Sequence, residues 1–142
     1  MHRSIVSKLA PALLAATLLS GAAGCMFQST PVTPAPLAED EQKALRATLI
    51  GKWQWVGNAK PDGEVESQPL RTYFTFNGDG SFRHEAYGPI IVDKTYNWSL
   101  DGRNVVTSSP GVQTMRVESW KEKGRLRLFI YGLTTTAVLE QR

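Results

Sequence analysis

The sequence predicts an all-β protein: a single small antiparallel up-and-down β-barrel of about eight strands, preceded by a short helix, a tether and a cleaved signal peptide. From Leu49 onward, apolar and polar residues alternate with a period of two, as in half-buried strands. Turn-forming residues interrupt this alternation about every 8–12 residues. Eight short strands can close into a barrel that side chains fill or that holds one small ligand, and closure removes the exposed edges. An open sandwich is the alternative architecture.

The first 24 residues predict an export signal. Arg3 and Lys8 supply its positive charge, and Leu9–Leu19 forms its short apolar core. Small residues at Ser20–Gly24 then precede the expected cleavage site. The apolar core is about half as long as the ~20 residues that a membrane-spanning helix requires. We therefore assign residues 1–24 to a cleaved signal peptide.

The only cysteine of the chain, Cys25, follows this signal directly. The stretch resembles the lipobox of bacterial lipoproteins at Ala22-Ala23-Gly24-Cys25. In that family the thiol carries a diacylglyceryl group, and the new amino group is often acylated, for example with palmitate. Two or more acyl chains hold a protein stably on a membrane. An ordinary signal peptide followed by an incidental cysteine is the alternative. Because Met26 rather than aspartate comes next, the resemblance implies the outer membrane, facing the periplasm, in a source with two membranes.

A tether and a helix are predicted between the lipidated cysteine and the first strand. Residues 25–37 contain three prolines and no charge, which favours a flexible, extended tether rising ~3.1 Å per residue. The barrel domain is assigned to residues 38–142. Its helix is predicted from Glu39 to about Thr48, because three successive acidic residues favour a helix N-terminus. The helix is expected to abut one end of the barrel with its leucines, Leu37, Leu45 and Leu49.

Eight candidate strands follow the helix. They are separated by turn signals such as Asn77-Gly78-Asp79-Gly80, Asp101-Gly102 and Lys123-Gly124, whose residues tolerate positive φ. Only the connection from Gly57 to Pro69 is predicted to be long. The predicted strands span residues 49–56, 70–76, 81–87, 91–100, 104–109, 112–120, 125–131 and 135–141.

Strand alternation predicts what lies inside the barrel. Each inward aromatic side chain buries roughly 150–250 Å², so the set nearly fills a short barrel and leaves at most a shallow pocket at the mouth. A true cavity is the alternative. Lys94 also alternates inward, where its stem can be buried while its ammonium reaches water or an anionic head group at the mouth. His84 faces inward as a core histidine or a ligand contact. The inward aromatic residues are Trp53, Trp55, Phe74, Phe76, Phe82, Tyr96 and Trp98.

A second resemblance concerns the barrel itself. Gly51-Lys52-Trp53, after a short helix, resembles the Gly-x-Trp signature of lipocalins. The segments Phe74–Phe82 and Tyr96–Gly102 are similar to small bacterial lipocalin-like domains of the calycin type, which are often lipoproteins. The resemblance implies that Gly51 and Trp53 close one end of the barrel. It also implies that a late arginine, Arg142 by position, packs over the tryptophan face, as a cation–π contact favours.

Composition and spacing argue against several other classes of function. After signal removal the chain has 14 Lys and Arg residues and 13 Asp and Glu residues. It therefore lacks the excess of positive charge that is typical of nucleic-acid-binding proteins. The sequence has no Gly-x-Ser-x-Gly elbow and no phosphate-cradling loop. His84 and Glu85 are adjacent and point to opposite faces of a strand, so they cannot share a metal ion. We predict no enzymatic activity, no metal and no cofactor.

The predicted function is therefore a membrane-anchored lipocalin-like lipoprotein. Its barrel mouth is expected to bind a small apolar or amphipathic ligand through Lys94, Tyr96, Trp98 and His84. The alternative is a filled barrel that serves as an envelope scaffold and binds a protein partner through its outer face. The outer face would offer a basic and aromatic surface made of Lys121, Lys123, Arg125, Arg127, Tyr73, Phe129 and Tyr131.

Overall fold

The structure is a computed structural model and describes residues 36–142. The predicted signal peptide, Cys25 and nearly all of the tether lie outside the described residues, so their assignments stay predictions. One α-helix, eight strands and a short 3-10 helix at Tyr131–Leu133 are the regular elements of the described part of the chain. Their bounds are α1 (Glu39–Leu49), β1 (Gly51–Ala59), β2 (Val65–Phe76), β3 (Ser81–Tyr87), β4 (Val92–Asp101), β5 (Asn104–Thr107), β6 (Thr114–Ser119), β7 (Arg125–Ile130) and β8 (Thr135–Gln141).

The eight strands form one closed antiparallel barrel in sequence order. Each strand pairs with the next, and β1 pairs with β8 to close the sheet. Tight turns are possible at Gly80, Gly102 and Gly124 because these residues adopt φ of 87°, 57° and 74°, which glycine reaches without steric cost. The structure confirms the predicted all-β fold class, the barrel closure and the short helix ahead of the first strand.

Helix α1 seals one end of the barrel, called the helix end below. Leu45 and Leu49 are fully buried and belong to the barrel core. The indole Nε1 of Trp53 donates a hydrogen bond to the Leu49 carbonyl at 2.8 Å, which ties the last turn of the helix to β1. The guanidinium of Arg46 lies 4.6 Å from the ring centroid of Trp98. The opposite opening, where β1, β3, β5 and β7 end, is called the mouth end.

Aromatic side chains fill the interior, as the alternation predicts. The ring centroids of Phe76 and Phe82 are 4.9 Å apart, and those of Phe74 and Phe82 are 5.6 Å apart. Tyr96 is partly buried and packs against this cluster. The inward aromatic residues that are fully or almost fully buried are Trp53, Trp55, Phe74, Phe76, Phe82 and Trp98.

The prediction of a long connection from Gly57 to Pro69 is wrong. β1 continues to Ala59 and β2 begins at Val65, so these residues form a long hairpin with a short turn. The pairing of β1 with both neighbours shifts register between Trp55 and Gly57, which marks a β-bulge. The bulge resets the alternation, and the first residues of β2 are exposed on both faces. The sequence there consequently lacks the period of two by which a strand is recognised.

A buried carboxylate lies on the outer wall of the barrel. Glu85 faces outward but is only 4% exposed. Its Oε2 lies 2.9 Å from Lys52 Nζ, and Tyr87 donates to its Oε1 at 3.0 Å. Burial alone would raise the pKa of Glu85, but hydrogen bonding with Lys52 and Tyr87 and the charges of Lys52 and Arg83 outweigh it. The pKa of Glu85 therefore lies below its ordinary value of 4.5.

Truncating the helix seal should destabilise the whole barrel. We expect Leu45→Ala to lower the free energy of unfolding by about 2–5 kcal/mol, because it leaves a cavity between α1 and the core. The exposed Lys43→Ala on the same helix should change it by less than about 0.5 kcal/mol. Urea denaturation followed by tryptophan fluorescence measures both. Equal effects of the two substitutions would show that α1 does not seal the core.

Replacing the buried carboxylate should lower stability in a pH-dependent way. We expect Glu85→Gln to cost about 1–3 kcal/mol at pH 7, because Lys52 loses its charged partner. The pKa of Glu85 is lower in the folded protein than in the unfolded chain. The ionised carboxylate therefore contributes fully to the free energy of unfolding above pH 4.5, and this contribution is lost as the pH falls through the folded-state pKa. Denaturation curves of both proteins should therefore converge in acid. A constant difference across this pH range would contradict the ion pair, and the exposed Asp93→Asn should show a smaller effect at pH 7.

Candidate functional site

The interior of the barrel changes character between its two ends. Apolar side chains line the helix end and the middle, whereas polar side chains face inward towards the mouth. Thr72, Thr107 and Ser109 are buried there, at 4%, 7% and 0% exposure. His84 is partly buried and Lys94 is exposed. The mouth end is thus the part of the barrel that combines hydrogen-bonding groups with access to solvent.

The connection between β5 and β6 folds into the mouth and forms a plug. Val112 is 2% exposed and belongs to the barrel core. The hydroxyl of Thr107 donates to the Val112 carbonyl at 2.9 Å and accepts from the Ser109 amide at 3.1 Å. On the outer side, Gly111 packs against Gly132, where a Cβ would lie 2.8 Å from the Gly111 carbonyl oxygen. Residues 108–113, called the β5–β6 plug, therefore cover part of the mouth.

His84 joins the β5–β6 plug to the barrel wall. Its Nδ1 lies 3.2 Å from the Ser109 hydroxyl, and its ring packs edge-on against Phe74 with centroids 5.1 Å apart. Burial lowers the pKa of His84 below its ordinary value of 6.5, because the imidazolium is poorly solvated there. A neutral imidazole at pH 7 can accept one hydrogen bond and donate another.

Three of the four predicted ligand contacts lie close together. His84 on β3 is directly opposite Lys94 on β4, and Tyr96 is opposite Phe82, one inward position deeper. Trp98 instead lies in the helix end, where its Nε1 donates to the Asn77 carbonyl at 2.9 Å beneath the Arg46 guanidinium. The structure thus brings His84 and Lys94 together near the mouth, with Tyr96 one inward position deeper, and places Trp98 at the helix end of the barrel.

The predicted closure residues lie at the helix end. Gly51 has a φ of 139°. Trp53, two residues later, is 1% exposed. Arg142 runs along the β1–β8 seam: its amide donates to the Lys52 carbonyl at 2.9 Å, and its Nε donates to Gln54 Oε1 at 2.6 Å. The cations that lie over tryptophan rings at the helix end are Arg46, 4.6 Å from the Trp98 centroid, and Lys121, 5.9 Å from the Trp120 centroid.

An apolar rim that the sequence pattern did not predict lies at the mouth end. Ile90 and Ile91, in the connection between β3 and β4, are 79% and 70% exposed. Leu70 on β2 reaches across to Gly88, where a Cβ would collide with its side chain. We define the apolar rim as Leu70, Tyr87, Ile90 and Ile91. The available signal was the pair of isoleucines directly after the Gly88-Pro89 turn, a position where polar residues are more common.

Two further features concern the described part of the chain. Residues 36–142 contain no cluster of three His, Cys, Asp or Glu side chains arranged to hold a metal ion. Within the same range, no helix is both long and apolar enough to span a bilayer.

The hydrogen-bonded position of His84 predicts its titration. We expect NMR to give a pKa below 6.5, because burial disfavours its charged form. The stability linked to a lowered pKa is fully present above pH 6.5 and decreases as the pH falls. The variant His84→Gln, which cannot be protonated, should therefore lose less stability than the natural protein between pH 6.5 and about pH 5. An imidazole that titrates at or above 6.5 would contradict the buried contact with Ser109.

Comparison with known proteins supports the fold. The crystal structure of a lipocalin-like protein from Bacteroides uniformis superposes with a TM-score of 0.51 at 22% sequence identity, covering 67% of this chain and 99% of that one. No protein-family model matches the chain, and no curated protein matches it either. A likeness at this level of identity concerns the backbone architecture. The closed barrel of residues 51–141, sealed by a helix at one end, has a lipocalin-like fold.

Proposed function

We propose that this protein is a membrane-anchored lipoprotein whose barrel binds a small amphipathic ligand with an anionic head group at its mouth end. The observation that carries the proposal is the apolar rim directly beside the inward-facing His84 and Lys94. Exposed isoleucines suit a hydrocarbon group, because contiguous apolar surface marks a site of contact with an apolar partner. An ammonium and an imidazole suit the polar head.

Lys94 is the group best placed to select an anion. Its ammonium forms no salt bridge with a carboxylate among residues 36–142, and its side chain is exposed at the mouth. By contrast, the nearby Arg83 is bound to Asp93 at 2.8 Å. An unpaired lysine at the edge of an apolar surface can keep its stem on that surface and direct its charge at the ligand.

The packed interior determines where the ligand lies. Phe74, Phe82 and Val112 are buried beneath the mouth, so the ligand occupies the surface formed by the apolar rim rather than a deep cavity. Deeper entry would require displacement of the β5–β6 plug, which is held by its contact with His84. Lipocalin-like barrels are binding folds, and this arrangement fits a shallow binding site rather than catalysis.

Anchoring through Cys25 is the second part of the proposal. The lipobox-like residues Ala22–Cys25 support lipidation, and Met26 supports the outer membrane, facing the periplasm. A tether would connect the anchor to α1, whose first turn begins at Glu39. We expect the barrel to act in the cell envelope, where its ligand and its lipid anchor share an apolar environment.

The outer face supports the scaffold alternative less well. Arg125 forms ion pairs with Glu122 at 3.6 Å and Glu140 at 3.3 Å, so part of the predicted basic surface is neutralised. The ring of Phe129 is covered by Arg116, whose guanidinium lies 5.4 Å from its centroid. An envelope protein that docks here would have to compete with contacts already made within the barrel. These contacts favour the mouth as the binding site.

Ligand binding can be tested with a fluorescent fatty acid, 11-(dansylamino)undecanoate, and the purified chain in detergent. We expect saturable binding that weakens at least about tenfold in Ile90→Ser/Ile91→Ser, because burial of these side chains contributes more than about 1.4 kcal/mol. Lys94→Glu should weaken binding of the acid more than binding of the corresponding methyl ester.

Two variants at the helix end serve as matched controls. Ile50, which is 39% exposed, is replaced in Ile50→Ser, and the exposed Lys43 in Lys43→Glu. Neither should change the affinity. Failure of the natural protein to bind, or equal losses in the control variants, would contradict a ligand site at the mouth.

A further inference from the structure

A second groove lies on the outer wall of the barrel, away from the rim residues and the interior. It has a volume of about 410 Å³ and forms where the turn between β1 and β2 approaches β6, β7 and β8. We call it the hairpin groove. Its lining includes Lys60 and Pro61 from the turn, Glu118 from β6, Arg127 and Phe129 from β7, and Thr134–Thr136 at the start of β8.

The β-bulge of β1 positions the turn over this wall. Beyond the bulge, a Cβ on Gly57 would collide with the Glu66 carbonyl oxygen, so glycine permits the close approach of the two hairpin strands. Val138 faces outward between Ala137 and Leu139, yet it is fully buried, which indicates that the hairpin covers β8 at this point. The hairpin groove is therefore a consequence of the fold and not a chance gap between side chains.

The charges around the hairpin groove are unbalanced. Two other arginines on this outer wall form ion pairs. Arg116 pairs with Glu118 at 3.0 Å, and Arg125 pairs with Glu140 at 3.3 Å. Arg127 and Lys60 have no carboxylate within 4 Å among residues 36–142. Two cations thus line the groove without a counter-ion from the described chain, and an anion is the complementary ligand.

The remaining lining groups suit a ligand rich in hydroxyls. Glu118 already binds Arg116 through Oε1 and accepts from the Thr136 hydroxyl at 3.1 Å through Oε2, and a carboxylate can accept further hydrogen bonds. Thr135 adds a second hydroxyl, and Phe129, although Arg116 packs on its ring, is also part of the lining. Hydroxyl and carboxylate groups beside an aromatic ring can contact both the polar edge and the apolar C–H face of a sugar ring.

The backbone at the edge of the hairpin groove is strained. Thr134 has a φ of 48° and is the non-glycine residue of the described chain with a positive φ. This conformation is unfavourable for a β-branched side chain, and such strain concentrates at functional sites. The left-handed backbone at Thr134 leads directly into β8, and the three successive threonines Thr134–Thr136 border the groove.

From the groove, its two uncompensated cations and its hydroxyl lining, we infer that the hairpin groove binds an acidic carbohydrate, a sugar that carries a carboxylate or a phosphate. Arg127 and Lys60 contact the acid group. Glu118 and the threonines contact the sugar hydroxyls. This site shares no residue with the mouth, so it does not depend on the function proposed for the mouth.

The test is a titration of the full ¹⁵N-labelled chain in detergent with glucuronate and with glucose 6-phosphate, read by NMR and calorimetry. We expect shifts at the amides of Thr134–Thr136 and Arg127, and affinity that falls as salt is added. Arg127→Gln and Lys60→Gln should each weaken binding about tenfold, whereas Lys43→Gln, a cation removed on α1, should not.

Glucose and inorganic phosphate test which part of the ligand the groove recognises, the acid group or the sugar. Glucose should bind much more weakly than either acid, because it lacks the group that the two cations contact. Inorganic phosphate that binds as tightly as glucose 6-phosphate would overturn the assignment to a carbohydrate. Binding that is unchanged in both Arg127→Gln and Lys60→Gln, or shifts confined to the mouth, would overturn the site itself.

Discussion

The pairing of β1 with β8 is the interaction on which the rest of the structure depends. These backbone hydrogen bonds close the sheet, so each strand has one inner and one outer face and the barrel has two distinct ends. Closure also removes the free strand edges that an open sheet would expose. The aromatic core stabilises the closed form, since Phe74, Phe76 and Phe82 contact each other across neighbouring strands.

The two ends of the closed barrel then take different roles. At the helix end, α1 covers the opening with buried leucines, and Trp53 ties the helix to β1 through its indole. At the mouth end, the short loop between β5 and β6 supplies Val112 as a partial plug, and Ser109 of the same loop lies 3.2 Å from Nδ1 of His84 on β3. The ligand-binding proposal follows from this asymmetry, because the mouth end combines the exposed Ile90 and Ile91 with Lys94, which has no ion pair among residues 36–142.

The outer wall contributes a second set of charges. Some are compensated within the barrel, as in the cluster of Glu85 with Lys52 and Tyr87, and these stabilise the sheet. Others, such as Arg127 and Lys60, have no such partner in the described chain and border a groove. The same residue types therefore stabilise the sheet where a counter-charge is within reach, and where none is, as at Arg127 and Lys60, they are the groups that we propose contact an anionic ligand.

Elements that depend on local patterns could be predicted from the amino-acid sequence. Alternation with a period of two located the strands, and three acidic residues located the start of α1, because both signals depend on neighbours along the chain. His84 and Lys94 were assigned inward for the same reason, and their register confirms that they face each other. The export signal and Cys25 are also sequence inferences, and they remain predictions.

The side-chain contacts across the barrel could not be predicted from local patterns and became visible in the folded structure. The bulge near Gly57 depends on pairing with two strands at once, so the hairpin was not recognisable from its exposed residues. Trp98 shares a strand face with Lys94 but lies at the helix end, because four positions along a strand cover much of a short barrel. The partner of Arg142 and the contact of His84 with Ser109 join residues far apart in the chain. Such contacts are set by closure and packing, which leave no local pattern in the sequence.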